Sequence, residues 1–384
     1  MVYHERVVHS RSTAGMLADR LSKIEPSGIR RIFEMLASME DPINFSIGQA
    51  HFDPPAELVE AACRAIRAGF NRYTVTQGLP ELNARILDSV AAQHGRRPDS
   101  SLVTSGVSGG ILLTFMALLD PGDEILLPDP GFVMYRHLAN LCGARVRYYN
   151  LYPRFHLDPA EVEEMVTPRT KIVLLNSPSN PTGVLLSRAE VEGVARAAEQ
   201  VGAFIVSDEI YDAFIYGGEF VSPLSSYGRV IQLGGFSKTY GVPGWRMGYA
   251  TGPADVLDAM KTLQQFSFVC APAPFQHAIL EAAFDLDMSE HIDEYRGKRD
   301  RLVEDLDPAF DLVPPDGAFY AFPSLPPGIS EGAFVEACLE RNVLVVPGSA
   351  FSSRDTHFRL SFAVTDEDLG RGIAALNAVA SSSS

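Results

Sequence analysis

Cysteine is scarce in this chain. Four are spread over 384 residues (Cys63, Cys142, Cys270 and Cys338) with no C-x-x-C pair, which excludes a disulfide framework and a thiolate zinc site. Positive charge is also short: 32 Lys and Arg against 48 Asp and Glu leave a net charge of −16. No basic stripe is available to displace counterions, so nucleic acid is not an expected partner. Long apolar runs are missing too. The longest are strand-sized, such as Ile172–Leu175, far from the roughly 20 residues that span a bilayer. The opening Met1-Val-Tyr-His-Glu-Arg6 lacks the apolar core of a signal peptide. The histidines show no ligand spacing, so no metal is expected. What remains is a globular composition, 46% hydrophobic and 21% charged. The length exceeds the roughly 250–300 residues at which one core stops growing, so two domains around a cleft are expected. The expectation is a cytoplasmic enzyme.

From about residue 54 to 250, short apolar runs alternate with amphipathic stretches, the pattern of a parallel sheet with crossover helices. Strands are expected at Leu102–Thr104, Glu124–Leu127, Arg145–Tyr149, Lys171–Leu175, Ala203–Ser207, Val230–Leu233 and Met247–Thr251. A helix after Asp53-Pro-Pro carries the stripe Leu58, Ala61, Ala62, Ala65 and Ile66, closed by Gly69. Ser187 and Glu190 have capping-box spacing. Beyond Pro272 the texture becomes helical, then gives strands at Ala318–Phe322, Val343–Val346 and His357–Phe362. This predicts an N-terminal arm that completes the small domain (1–47), a large domain (48–272) and a small α+β domain (273–384). Trp245 and most cysteines are expected in the core, and Ser381–Ser384 as a solvated tail.

Three turns carry candidate chemistry. Gly106-Val-Ser108-Gly-Gly110, between a strand and an expected helix Ile111–Leu119, has the G-x-S-x-G form of a hydrolase nucleophile elbow. The same turn could aim backbone N–H groups at a phosphate. A hydrolase needs a late histidine, and His357, on a strand-like run, is the only candidate. Gly234-Gly-Phe-Ser-Lys-Thr239 resembles a Walker loop but has Ser before Lys238, so it is not one; its small residues make room for something close to the backbone. Asn176-Ser-Pro-Ser-Asn-Pro-Thr-Gly183 is, alone, a loop of turn formers.

Together with Ser207-Asp-Glu-Ile-Tyr211 and Gly244-Trp-Arg-Met247, these segments form an ordered set. Five motifs carry it: Arg72-Tyr-Thr-Val-Thr-Gln-Gly-Leu-Pro-Glu-Leu82, Pro178-Ser-Asn-Pro-Thr-Gly183, Ser207–Tyr211, Ser237-Lys238 with Arg246, and Phe358-Arg-Leu-Ser-Phe362. In this the chain resembles the fold type I, class I/II pyridoxal-phosphate aminotransferases of the aspartate aminotransferase superfamily, from about Leu21 to Asn377. The resemblance implies an α/β fold: a large domain with a mostly parallel seven-stranded sheet between helices, plus a smaller α+β domain.

It implies pyridoxal 5'-phosphate as cofactor, held as a Schiff base by Lys238, which also shuttles the proton at Cα. Asp208 matches the carboxylate that keeps the ring nitrogen protonated, and Asn180 and Tyr211 match donors to the phenolic oxygen. Val107, Ser108 and Gly109, with Ser237 and Arg246, match the phosphate cradle, and Phe132 the aromatic ring over the cofactor. Arg359, whose planar fork suits a carboxylate, matches the binder of the substrate α-carboxylate, assisted by Asn180 and Gly48. Tyr73 matches a tyrosine that reaches the neighbouring subunit's phosphate, which implies a homodimer. The implied reaction moves an amino group from an L-amino acid to a 2-oxo acid, 2-oxoglutarate foremost, by a ping-pong route. An aspartate-type donor is the first expectation, with aromatic or alanine donors next. A β-eliminating lyase on the same scaffold is the alternative, and a serine hydrolase using Ser108 the remote one. Two departures bear on specificity: Gln49-Ala-His51 replaces the usual acidic and proline residues, and Ser108-Gly-Gly110 replaces a longer side chain.

Overall fold

The computed structural model describes residues 17–24 and 39–382. Most of the expected arm, together with the last two serines, lies outside the described residues.

The expected strands form, each within a residue or two of its expected limits, and a short strand that was not expected, Ile43–Asn44, precedes them. They are β1 (Ile43–Asn44), β2 (Ser100–Ser105), β3 (Glu124–Asp129), β4 (Arg145–Asn150), β5 (Thr170–Asn176), β6 (Phe204–Asp208), β7 (Val230–Gly235), β8 (Met247–Gly252), β9 (Tyr320–Ala321), β10 (Val343–Leu344), β11 (Val346–Pro347) and β12 (Phe358–Ser361). Seven make one sheet in the order β2-β8-β7-β6-β5-β3-β4. All its pairings are parallel except those of β8, which runs antiparallel to both β2 and β7. Alternation with period two explains why helices cover both faces. Val173 and Leu175 of β5 enter one core with Leu58, Leu82 and Val194, while Ile172 and Leu174 enter the other with Ile111, Phe115 and Met260.

Parallel strands bring their carboxyl ends to one edge. Because β8 is reversed, its amino end lies at that edge too, with Ser105 opposite Met247 and Gly235 opposite Gly248. The residues that follow β2, β3, β5, β6 and β7 therefore meet the residue that precedes β8. That edge is where ligands bind in open α/β sheets.

A third core gathers Ile43, Phe45, Tyr295, Phe319, Phe334, Phe358 and Leu376. Around it, β11-β12-β9 form an antiparallel sheet, and β1 pairs in parallel with β10. The expected strand Val343–Val346 is thus two, since β10 serves β1 and β11 serves β12. The helix Ala273–Ala282 contributes Ala278 and Ile279 to the core of the large sheet. The core of the large sheet therefore extends through this helix to Leu286.

Four further expectations are corrected. Ile66 is 47% exposed although its stripe partners are buried. Trp245 is half-buried, stacked on Phe275 at 4.5 Å. Only Cys338 is buried among the cysteines. Ser381 and Ser382 belong to the last turn of the helix Asp366–Ser382. The capping box forms as read, Ser187 and Glu190 each bonding the other's backbone N–H. No helix among the described residues is long and apolar enough to cross a membrane.

Candidate active site

A cavity of about 540 Å³ opens at the carboxyl edge of the large sheet, facing β9 and β12. Gly48, Val107, Ser108, Phe132, Asn180, Asp208, Tyr211, Ser237, Lys238, Arg246 and Arg359 all line it. Gly109 follows in the same helical turn. Of the expected site residues only Tyr73 stands apart, 84% exposed.

The G-x-S-x-G segment is not a separate turn. The helix runs Gly106–Leu118, five residues earlier than expected, so Val107, Ser108 and Gly109 form its first turn. Their N–H groups are therefore among the donors an α-helix leaves without internal partners. The N-cap Ser105 makes no side-chain cap bond, so this helix start is open to an anion. Arg246 is brought alongside by the β2–β8 register: its Nη2 lies 3.4 Å from the Ser105 carbonyl. Glycine suits this position because its φ is +65°, and a Cβ on Gly106 would also stand 2.6 Å from that same Nη2, which would have to shift. Ser108 and His357 are not brought together. His357 bonds Thr356 and packs among Tyr152, Phe155 and Phe322, so the hydrolase pairing does not form.

Asp208 ends β6 and is 4% exposed. Burial pushes its carboxyl up to about 6, against hydrogen bonds from the Tyr135 hydroxyl (2.8 Å) and the Ile210 N–H (3.3 Å). Its backbone carbonyl accepts from Asn176 Nδ2 at 2.9 Å, and Asn176 Oδ1 accepts the N–H of Asn180, which ties the ends of β5 and β6 together. Behind them, Glu209 is buried and accepts from Ser207, Ser222 and Gln232 at 2.6–2.8 Å.

Lys238 Nζ donates to the Gly48 carbonyl at 2.5 Å. Burial lowers its ammonium to about 8; the guanidinium groups of Arg359 and Arg246 act the same way and Asp208 opposes them. An amine poised there is partly free base near neutrality, as a nucleophile requires.

Arg359 is 2% exposed. Nη1 donates to Asn180 Oδ1 (3.0 Å) and Nη2 to the Ser46 carbonyl (2.7 Å), while Nε has no partner among the described residues. The guanidinium lies over the rings of Tyr320 and Phe351, at 4.5 and 4.8 Å from their centroids. None of the ion pairs among the described residues gives it a carboxylate. A buried cation without a counter-charge is costly, and here its fork opens on a cavity. An anionic ligand would relieve it.

Sequence reasoning missed Tyr135, Asn176 and Tyr320, all of which line the cavity. Asn176 sits inside a quoted motif and could have been flagged, whereas Tyr135 lies three residues after Phe132 in no quoted motif. Tyr320 belongs to none either.

These features fit pyridoxal phosphate: an uncapped helix start beside an arginine for the phosphate, a buried carboxyl, a lysine of lowered pKa, and a guanidinium with no carboxylate partner among the described residues. The comparisons agree. A profile of the aminotransferase class I and II family matches residues 40–376. The chain is 34% identical to a probable aspartate aminotransferase of Methanocaldococcus jannaschii, over 95% of this chain and 100% of that one. It is 32% identical to aromatic-amino-acid aminotransferase 2 of Thermococcus litoralis, over 92% of this chain and 95% of that one. Among solved structures, aspartate aminotransferase from Thermus thermophilus with maleate superposes with a TM-score of 0.90 at 32% identity, covering 94% of this chain and 99% of that one. The chain belongs to the class I and II aminotransferases, fold type I enzymes that depend on pyridoxal phosphate.

Proposed function

We propose that this cavity moves an amino group from an L-amino acid to a 2-oxo acid in two alternating half-reactions, with an aspartate-type donor and 2-oxoglutarate as acceptor. One observation carries the reading: the buried Arg359 fork, with no carboxylate partner among the described residues, shares a cavity with Lys238 and Asp208. Bound pyridoxal phosphate supplies an electron sink for the charge left on Cα when its proton departs.

The chain's own groups do the rest. Lys238 would hold the cofactor's aldehyde carbon and would take and return the proton at the substrate Cα. Asp208 holds a proton at the ring nitrogen, and its anionic form is favoured by Tyr135. Tyr211, whose phenol burial and Tyr320 keep well above its usual range, is a lasting donor to the phenolic oxygen. Asn180 accepts Arg359 on Oδ1, which leaves its amide N–H groups to donate beside Tyr211. The N–H groups of Val107, Ser108 and Gly109, with Ser237 and Arg246, would hold the phosphate, and Phe132 would pack on the cofactor ring. Arg359 and the backbone of Gly48 seat the α-carboxylate.

A homodimer is part of the same proposal. Tyr73 and Phe266 are 84% and 87% exposed, and Gln264 bonds the Thr76 carbonyl at 2.6 Å, so their segments are neighbours on one surface. We assign that surface to a second copy, with Tyr73 reaching the partner's phosphate site. We place the small domain from about residue 287, completed by the chain before residue 48. Four cysteines without a bridge support a reducing, cytoplasmic setting.

The test is a half-reaction. Holoenzyme given an L-amino acid alone should release one equivalent of 2-oxo acid and stop, with the cofactor left as its amine. Continuous release of ammonia would instead identify the eliminating lyase. Running the assay across acidic, aromatic and small donors decides the substrate. The names of the Methanocaldococcus and Thermus proteins support aspartate, and that of the Thermococcus protein keeps aromatic donors in the set.

A further inference from the structure

Tyr320 is 1% exposed and held from two sides. Its ring lies under the Arg359 guanidinium, and its hydroxyl is 2.9 Å from that of Tyr211. The strand register explains the first contact: Tyr320 pairs with Ser361, so Arg359 is its diagonal neighbour on the same face. Gly48 explains how the second is possible. A Cβ there would stand 2.1 Å from the Tyr320 oxygen, so only glycine leaves the hydroxyl its place beside Tyr211.

A phenol has one proton to give. If Tyr211 directs its proton at the cofactor's phenolic oxygen, the 2.9 Å contact must be made by Tyr320 donating to Tyr211. A donor that itself accepts a hydrogen bond is polarised and donates more strongly.

We propose that Tyr320 is a positioning residue of this active site: its hydroxyl donates to Tyr211, strengthens the bond Tyr211 makes to the cofactor's phenolic oxygen, and so tunes the protonation of the cofactor–lysine linkage. The inference rests on the roles given above to Tyr211 and Lys238. The charged groups facing the pair are Arg359, Lys238 and Asp208. They are the same in every variant used below.

The linkage is coloured, so its protonation can be read from the visible spectrum of holoenzyme against pH. A donor to the phenolic oxygen favours the unprotonated linkage, in which that oxygen carries the negative charge. Weakening the donor must therefore raise the midpoint. Tyr211→Phe should raise it by about one to two pH units, the size of a hydrogen bond to a charged oxygen. Tyr320→Phe should raise it by a few tenths of a unit, from the ~10–30% strengthening of one bond by the next. The double variant should match Tyr211→Phe alone. A Tyr320→Phe midpoint equal to wild type, or a double variant shifted by the sum of both, overturns the proposal. An unmoved midpoint in Tyr211→Phe shows instead that the underlying reading of Tyr211 is wrong, and the proposal falls with it. If Tyr320→Phe does not load cofactor, 3-fluorotyrosine at position 320 decides the matter. Its more acidic phenol is a stronger donor, so the midpoint should fall, and an unchanged or higher value overturns the proposal.

Discussion

The Tyr135 hydroxyl donates to Oδ2 of Asp208 at 2.8 Å, and both groups are buried. Burial drives the carboxyl towards its neutral form, and this bond is the first force opposing that. Tyr135 comes from the helix Val133–Leu141 after β3 and Asp208 from the end of β6, so only the folded sheet joins them.

Tyr135→Phe should make Asp208 harder to ionise. In the cofactor-free protein the carboxyl is protonated below about 6 and anionic above it. Because this value is raised by folding, Asp208 favours the fold most below the ordinary carboxylate range, and that contribution is lost as pH rises through about 6. Cofactor binding needs the anion, so affinity should weaken on the acid side. Loss of the Tyr135 bond should move that acid-side midpoint up by about 1–2 pH units. Cofactor titrations of both proteins across pH check it, and coincident profiles would remove Tyr135 from the site.

Lys238→Ala should fold, bind cofactor without covalent attachment, and lose at least about 10²–10⁴-fold in rate with the proton shuttle. Borohydride reduction of the wild type followed by peptide mapping should put the label on Lys238. A label on another lysine ends this assignment.

Arg359→Ala should weaken amino-acid and oxo-acid substrates by about 2–5 kcal/mol, the cost of leaving a charge without its buried partner. Arg359→Lys should recover little, since an ammonium cannot make the two-pronged contact with a carboxylate. Cofactor affinity should hold in both. Loss of cofactor with unchanged substrate binding would show that the arginine serves the phosphate end.

A disabling change at Tyr73 and Lys238→Ala should complement when mixed. If each site takes Tyr73 from the partner, a heterodimer has one site with both lesions and one with none, and regains about half of wild-type activity. Activity no higher than the parents' average after subunit exchange would mean that each chain keeps its own lesion.

The core strands of the large sheet and five ordered motifs were legible in the sequence because each depends on local order: a period-two apolar run, a capping box, a lysine eight residues before an arginine. Local order is also where the reading failed. The G-x-S-x-G segment looks like a turn because glycine disfavours helix, yet Gly106–Gly110 opens a helix; the same small residues let Arg246 and β8 come within contact distance.

By itself, then, the sequence determined the order of the strands along the chain, the family resemblance and the chemical types at the site. Tertiary structure alone decided that reversed β8 carries Arg246 to the start of a helix 140 residues earlier, and that Tyr320 fills the space left by Gly48 to meet Tyr211. It also packed the helix Ala273–Ala282 on the core of the large sheet. The physical reason is one of range. Propensity and periodicity act over a few neighbours, whereas sheet register and the burial of the Arg359 guanidinium are set by groups hundreds of residues apart that meet only when the chain has folded.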